Sequence, residues 1–293
     1  MRIAIVTTSY PKSEDDPAGH FVRAEARALE REGHDVVVHS PEAGGAFGWP
    51  GVAARVRERP TRIGNVVSEL GRLRRCVKRE KVDRVIAHWC VPSAFPLCLG
   101  LSDDLEVVSH GGDVRLLRAL PRVVRSAIVK RIAEQASVWR FVSDALLDDL
   151  VRGAPRDVRA RVEAIARVEA CAIEMPDVSA LVAARREDLS KKRLAVCVAR
   201  LVASKRIDRV IEHVARHVPE TALVVVGDGP ERERLVELAR VRKIDARFVG
   251  RLPRPDALAW IGAADVLLHA SQTEGLSTVV REAKALGVPA LLV

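Results

Sequence analysis

The chain has 293 residues, enough for one large or two medium domains. Hydrophobic residues make up 48% and charged residues 30%, which excludes a disordered polar chain, and aromatics at 3% leave few platforms for stacking single-stranded nucleic acid. Lys and Arg outnumber Asp and Glu by 48 to 39, and the resulting net charge of +9 favours anionic partners.

Read in chain order, short apolar runs alternate twice with helical stretches. In the first half, strands are expected at 3–6, 36–39, 84–87, 107–109 and 139–142, with helices at 21–31 and 114–135. In the second half, strands are expected at 194–199, 222–226, 247–249, 266–269 and 290–293. Helices are expected there at 207–217, 231–242, 256–262 and 278–286. This alternation predicts an α/β chain with two Rossmann-like, doubly wound parallel-sheet domains, residues 1–165 and 166–293. The stretch 153–190, with Pro155, Pro176 and dense charge but no strand period, is read as the boundary. In such folds ligands bind outside the carboxyl ends of the strands, here expected in a cleft between the domains.

Several common chemistries find no motif. The first strand runs into T-T-S-Y-P, without a dinucleotide fingerprint, and G-D-G-P-E-R at 227–232 carries Arg232 where a third glycine belongs. No G-x-x-x-x-G-K-[ST] and no metal-spaced His/Cys cluster occurs. Cys76, Cys90, Cys98, Cys171 and Cys197 form no C-x-x-C and sit mostly in apolar runs, so buried free thiols in a reducing compartment are expected. The N-terminal apolar core is too short for a signal peptide, and no apolar run reaches about 18 residues. A cytoplasmic protein is expected, with a peripheral position at the inner face of a membrane as a further option.

Four loops at carboxyl ends of strands carry chemistry. In Pro17–Phe21, Gly19 either lets backbone approach a ligand, with helix N–H groups aimed at phosphate, or is an ordinary turn glycine. In His110-Gly111-Gly112-Asp113, the histidine and aspartate either bind polar substrate groups or are structural. Arg200 and Lys205 leave a strand and precede a helix, as a diphosphate clamp would, unless they are surface charges. The fourth is E-G-L-S-T-V-V-R-E. Glu274 lies on the loop after a strand, Ser277 is placed as N-cap, and Glu282 lies about one turn into the helix closed by Gly287 and Pro289. Backbone N–H groups at that helix start suit an anion, and the two carboxylates suit hydroxyls, which together fit a sugar nucleotide. Two basic stretches, 115–131 and 72–81, read as solvated helix faces or as a contact for an anionic membrane surface.

Taken as an ordered series, R-L-x-x-x-K, V-V-V-G-D-G-P-E, F-V-G-R-L and A-D-V-L-L-H-A-S-Q-T-E-G-L-S-T-V-V-R-E-A-K-A-L-G-V-P resembles the retaining glycosyltransferases of family 4, which have the GT-B fold. The first half is similar in P-A-G-H-F-V, G-H-D-V-V-V and the histidine–glycine loop. The resemblance implies that Glu282 binds the nucleotide ribose. It implies that Glu274 binds donor-sugar hydroxyls with the N–H groups of Gly275, Leu276 and Ser277. Arg200 and Lys205 would hold the diphosphate and stabilise the leaving group, and Gly19 would meet the phosphate. His110 would lie beside the donor sugar, and Arg251 and Leu252 near the base. A nucleoside-diphosphate sugar and a glycan or lipid-linked acceptor are the implied partners, with no metal, other cofactor or nucleic acid. A sugar-nucleotide epimerase or hydrolase and an inactive sugar-nucleotide-binding paralogue are the alternatives. Family members continue past P-A-L-L-V and carry a Pro-x-Gly pattern where this chain has 168–174, so a C-terminal truncation is expected.

Overall fold

The computed structural model describes residues 1–14, 16–42, 47, 52–102, 104–187, 193–271 and 277–293. Two units are built in turn: Met1–Lys12 with Ala18–Ile173, and Ser13–Pro17 with Glu174–Val293.

In the first unit the apolar runs become strands β1 (Arg2–Val6), β2 (Asp35–His39), β3 (Arg84–His88), β4 (Leu105–Ser109), β5 (Ala136–Phe141) and β6 (Ala166–Val168). They form one parallel sheet in the order β2-β1-β3-β4-β5-β6, with Ile3 opposite Val36 and Val107 opposite Trp139. Near-continuous runs such as I-A-I-V suit a parallel sheet because both faces are covered. The covering helices are α1 (His20–Arg31), α2 (Val52–Glu58), α3 (Arg62–Arg79), α4 (Gly112–Arg118), α5 (Arg122–Gln135), α6 (Asp144–Val151) and α7 (Arg156–Ile165). An irregular, kinked helical segment, Cys90–Cys98, follows β3 and contains Pro96. Ile3, Ile5, Leu105, Trp139 and Phe141 are among the side chains sealed in this core. Each such aliphatic contributes about 1.5–3 kcal/mol relative to exposure.

In the second unit β7 (Leu194–Val198), β8 (Ala222–Val226), β9 (Ala246–Gly250), β10 (Val266–His269) and β11 (Ala290–Leu292) form a parallel sheet ordered β11-β10-β7-β8-β9. Its helices are α8 (Ser179–Glu187), α9 (Ile207–His217), α10 (Arg232–Val241), α11 (Arg254–Ala263) and α12 (Thr278–Ala285). Alternate strand residues feed two cores. Leu194, Val196, Val224 and Val226 join one, while Ala195, Cys197, Leu223 and Val225 join the other.

Two readings change. The helix expected at 114–135 is two helices, because Pro121 has no N–H to donate and takes the extended N-cap position of α5. The stretch 153–190 holds the division between the units, at Ile173/Glu174, but it also carries α7, β6 and α8. β6 is only three residues long, too short to show a period, and pairs with β5 through Phe141 and Val168. The boundary drawn at 165/166 therefore falls inside the first sheet. All five cysteines are free thiols, with Cys76 half-buried and the rest buried.

Candidate functional site

In the first sheet β1 is flanked by β2 on one side and β3 on the other, so the topological switch point lies at the carboxyl ends of β1 and β3. His88 ends β3 and is fully buried. Its Nδ1 lies 3.0 Å from Nε2 of His110, which follows β4, and the two rings stack at 5.2 Å and 11°. Phe21 and Trp89 close around His110 at centroid distances of 4.8 and 4.9 Å. The other ring nitrogen of His110, Nδ1, lies 3.5 Å from Cys171 Sγ. Burial, reinforced by Arg140 at His88 and by His88 at His110, lowers the pKa of both imidazoles to about 3 and keeps them neutral; Asp113 acts the other way on His110.

Behind the histidines lies a buried ion network. Glu25 Oε2 is 3.7 Å from His88 Nε2. Arg140 Nη2 donates to Glu25 Oε1, and it lies 2.8 Å from Glu106 Oε1. Desolvation raises the pKa of Glu106, against the pull of Arg140. Sequence reasoning missed Glu25, His88 and Arg140. The available signal was charge inside otherwise apolar elements: an Arg in S-V-W-R-F and a His ending R-V-I-A-H.

Asp113 has a structural task. Its Oδ1 accepts the N–H groups of His110 (3.2 Å) and Gly111 (2.9 Å), and Oδ2 accepts that of Cys90 (2.8 Å). The carboxylate thus bolts the histidine loop to the segment after β3. Gly19 precedes α1 at φ 67, and a Cβ there would meet Ser9 O at 2.2 Å. Close approach does require glycine at this position, and the approaching group is the chain's own backbone.

In the second sheet the switch point lies between β7 and β10. Arg200 is exposed just beyond β7, and Lys205 is half-buried in the turn before α9. Lys205 sits near enough to Cys197 and His269 to disfavour protonation of both; burial is the larger influence on each and pushes the Cys197 thiol up to about 12. The G-D-G motif braces this loop. A Cβ on Gly227 would lie 1.8 Å from Ala199 O, and one on Gly229 would lie 2.4 Å from Leu201 O. Leu201 N–H donates to Asp228 O at 2.9 Å and Glu231 N–H to Leu201 O at 3.0 Å. These glycines serve backbone packing beside Arg200.

At α12, Ser277 takes the N-cap position with extended backbone, without a capping hydrogen bond from its side chain. Glu282 is 5% exposed, and its Oε1 accepts from Nη2 (2.9 Å) and Nε (3.2 Å) of Arg254. Arg254, also buried, donates from Nη2 to Glu174 O at 2.6 Å. Desolvation raises the Glu282 pKa, with Arg254 opposing. Arg254 was not singled out from sequence, although a glutamate on the apolar face of a helix implies a buried cation. Arg251 is exposed and pairs with Asp16 at 3.0 Å, while Leu252 packs on one core of the unit. Glu274, Gly275 and Leu276 lie outside the described residues. Among the described residues, no cluster of three or more His, Cys, Asp or Glu is arranged to hold a metal.

The family model described as Glycosyltransferase Family 4 matches residues 18–165, and that described as Glycosyl transferases group 1 matches 183–293. The GDP-mannose-dependent alpha-(1-6)-phosphatidylinositol monomannoside mannosyltransferase of Mycobacterium tuberculosis (strain ATCC 25618 / H37Rv) is 27% identical over 323 residues, spanning 99% of this chain and 80% of that protein. The Mycolicibacterium smegmatis enzyme of the same name is 29% identical over 290 residues, 87% of this chain and 71% of that one. Among solved structures, sucrose-phosphate synthase from Thermosynechococcus elongatus superposes with a TM-score of 0.73 at 18% identity, over 99% of this chain and 80% of that one. The switch-point geometry, the ordered motifs and these matches agree: the chain belongs to glycosyltransferase family 4, with the two-sheet architecture of the GT-B fold, and is a sugar-nucleotide-dependent glycosyltransferase.

Proposed function

We propose that this enzyme transfers a hexosyl group, with retention of anomeric configuration and without a metal ion, from a nucleoside-diphosphate sugar to a glycan or lipid-linked acceptor of the cell envelope. The observation that carries the reading is the second switch point: Arg200 and Lys205 follow β7, and its neighbour β10 leads to α12 with its anchored Glu282. Departure of a nucleoside diphosphate develops negative charge, which preorganised cations and helix N–H groups stabilise without a metal. In this reading Arg200 and Lys205 hold the diphosphate, and Glu282 accepts the ribose hydroxyls. Glu274 and the N–H groups of Gly275, Leu276 and Ser277 take the donor sugar. Gly19 meets phosphate, His110 lies beside the sugar, and Arg251 and Leu252 border the base. The named mycobacterial relatives make GDP-mannose the first donor to try and a phosphatidylinositol mannoside the first acceptor. Transfer from radiolabelled GDP-mannose, UDP-glucose and ADP-glucose should be assayed with and without EDTA, and product anomers assigned by NMR. Transfer from one donor, indifferent to EDTA and retaining, supports the proposal. Inversion or loss of activity on chelation overturns those parts of it.

A peripheral membrane position is a companion reading. Val123 (82% exposed), Leu116 (50%) and Val124 (45%) stand among exposed arginines of α4 and α5. Several of those arginines are engaged: Arg118 with Asp149, Arg122 with Gly153 O at 2.9 Å and Arg131 with Glu134 at 3.8 Å. Apolar side chains beside cations suit an anionic interface. Flotation with anionic vesicles is expected, and it should drop in Val123→Asp. Equal flotation with neutral vesicles, or an unchanged variant, counts against the reading.

A further inference from the structure

We propose that His88 is a positioning residue that fixes the tautomer of His110, so that His110 presents Nδ1 to substrate as a hydrogen-bond acceptor. The inference deepens the glycosyl-transfer reading of His110 and rests on it.

Glu25 accepts a hydrogen bond from Arg140 through Oε1, leaving Oε2 facing His88 Nε2 at 3.7 Å. Within the described residues neither Oε2 of Glu25 nor Nε2 of His88 has a hydrogen-bond partner at normal distance, and both are buried. A carboxylate is an acceptor only, and a neutral imidazole carries one donor and one acceptor. Placing the His88 proton on Nδ1 would set two buried lone pairs against each other. Placing it on Nε2 aims the N–H dipole at the carboxylate. His88 Nδ1 is then an acceptor, and the nitrogen 3.0 Å away, Nε2 of His110, must be the donor. A neutral His110 with its proton on Nε2 has a bare lone pair on Nδ1. That atom faces the Cys171 thiol at 3.5 Å, a weak donor that a sugar or acceptor hydroxyl outcompetes. The stacked rings and the Phe21 and Trp89 walls keep His110 from turning over.

The reciprocal demand is specific to His88. Asp113 accepts a hydrogen bond from the backbone of His110, and its charge favours protonation of the ring without selecting a tautomer by a hydrogen bond to it. Glu25 faces His88, and the charge of Arg140 disfavours protonation of both rings. The orientation of a second histidine thus decides whether the first donates to or accepts from substrate, as an orienting carboxylate does in hydrolase triads.

The test reads the tautomer directly. Long-range proton–nitrogen correlation spectra of the unliganded protein should show His110 with Nε2 protonated and Nδ1 bare. His88→Asn puts an amide oxygen near the Nδ1 position and should preserve that pattern, whereas His88→Phe removes the acceptor and should give mixed tautomers. Turnover should fall at least about tenfold in His88→Phe and less than about threefold in His88→Asn, with KM for the donor unchanged in both. Similar melting temperatures of the two variants would show that packing does not account for the difference. A wild-type His110 protonated on Nδ1 overturns the proposal, as does a His110 tautomer that His88→Phe leaves in place. Absence of sugar transfer in every form would instead overturn the reading of the site, while the spectra still decide the tautomer.

Discussion

At the scale of single residues, the second unit is governed by the pair Glu282–Arg254, both nearly sealed from solvent. Each charge is tolerable only because the other is present. Glu282→Ala should therefore do two things: weaken nucleotide binding and strand the guanidinium, at a cost of about 3–5 kcal/mol of stability. Glu282→Gln keeps a hydrogen-bond acceptor beside Arg254, so calorimetric titration with GDP should show weakened binding with a smaller drop in melting temperature. If Glu282→Gln binds nucleotide as wild type does, the ribose assignment fails. The pH response has a definite sign. Desolvation raises the Glu282 pKa, so its carboxylate protonates at a higher pH than a free glutamate, and affinity for GDP should fall on acidification through that raised value. Arg254 is the largest influence opposing the rise, so Arg254→Met should move the midpoint to still higher pH. For folding the sign is opposite to that of an acid whose pKa is lowered in the native state. The native state holds this proton to higher pH than the unfolded chain does, so Glu282's own contribution to stability declines as pH rises through the window between the two values.

At the scale of elements, two loops are shaped by glycines for lack of room. Gly227 sits at φ 136 with space for no side chain, because Ala199 O would lie 1.8 Å from a Cβ. Gly227→Ala must push the β8–α10 connection away from the β7–α9 loop that carries Arg200 and Lys205. A loss of about 1–3 kcal/mol and weaker nucleotide binding are expected, measured by chemical denaturation and by titration. Gly100 has a positive φ of 69 but meets nothing within 4 Å, so Gly100→Asn is the control that should cost little. Much of this scale was legible in sequence: the apolar runs fixed most strands because parallel strands are buried on both faces, and Pro121 marked where a helix had to stop. β6 was not legible, since three residues carry no period. The segment Cys90–Cys98 was not legible either, since its irregular turns follow no single repeat.

At the scale of the molecule, the chain divides into two units whose buried cores share no residue. Each sheet is closed by its own helices, so unfolding need not be two-state. Calorimetry should show two transitions. Leu105→Ala, in the first core, should lower one of them, and Leu267→Ala, in the second, the other. GDP should raise most the transition lowered by Leu267→Ala, through binding to the native state. A single transition lowered equally by both variants would refute this independence.

The sequence by itself determined the α/β class, the two doubly wound sheets and the positions of Gly19, His110, Arg200, Lys205 and Glu282 at strand ends or helix starts. Hydrophobic period and glycine placement are local properties that a linear chain displays. Tertiary structure alone decided what those side chains touch. That Glu282 is anchored by Arg254, that Gly229 yields to Leu201 O, and that Asp113 binds backbone depends on residues brought together by strand order. The coupling of His110 to His88, Glu25 and Arg140 joins residues up to 115 positions apart, and only the sheet pairing and the packing of α1 bring them within reach. Burial then converts that proximity into chemistry, because in a site with little water each lone pair must be matched by a donor from the protein itself.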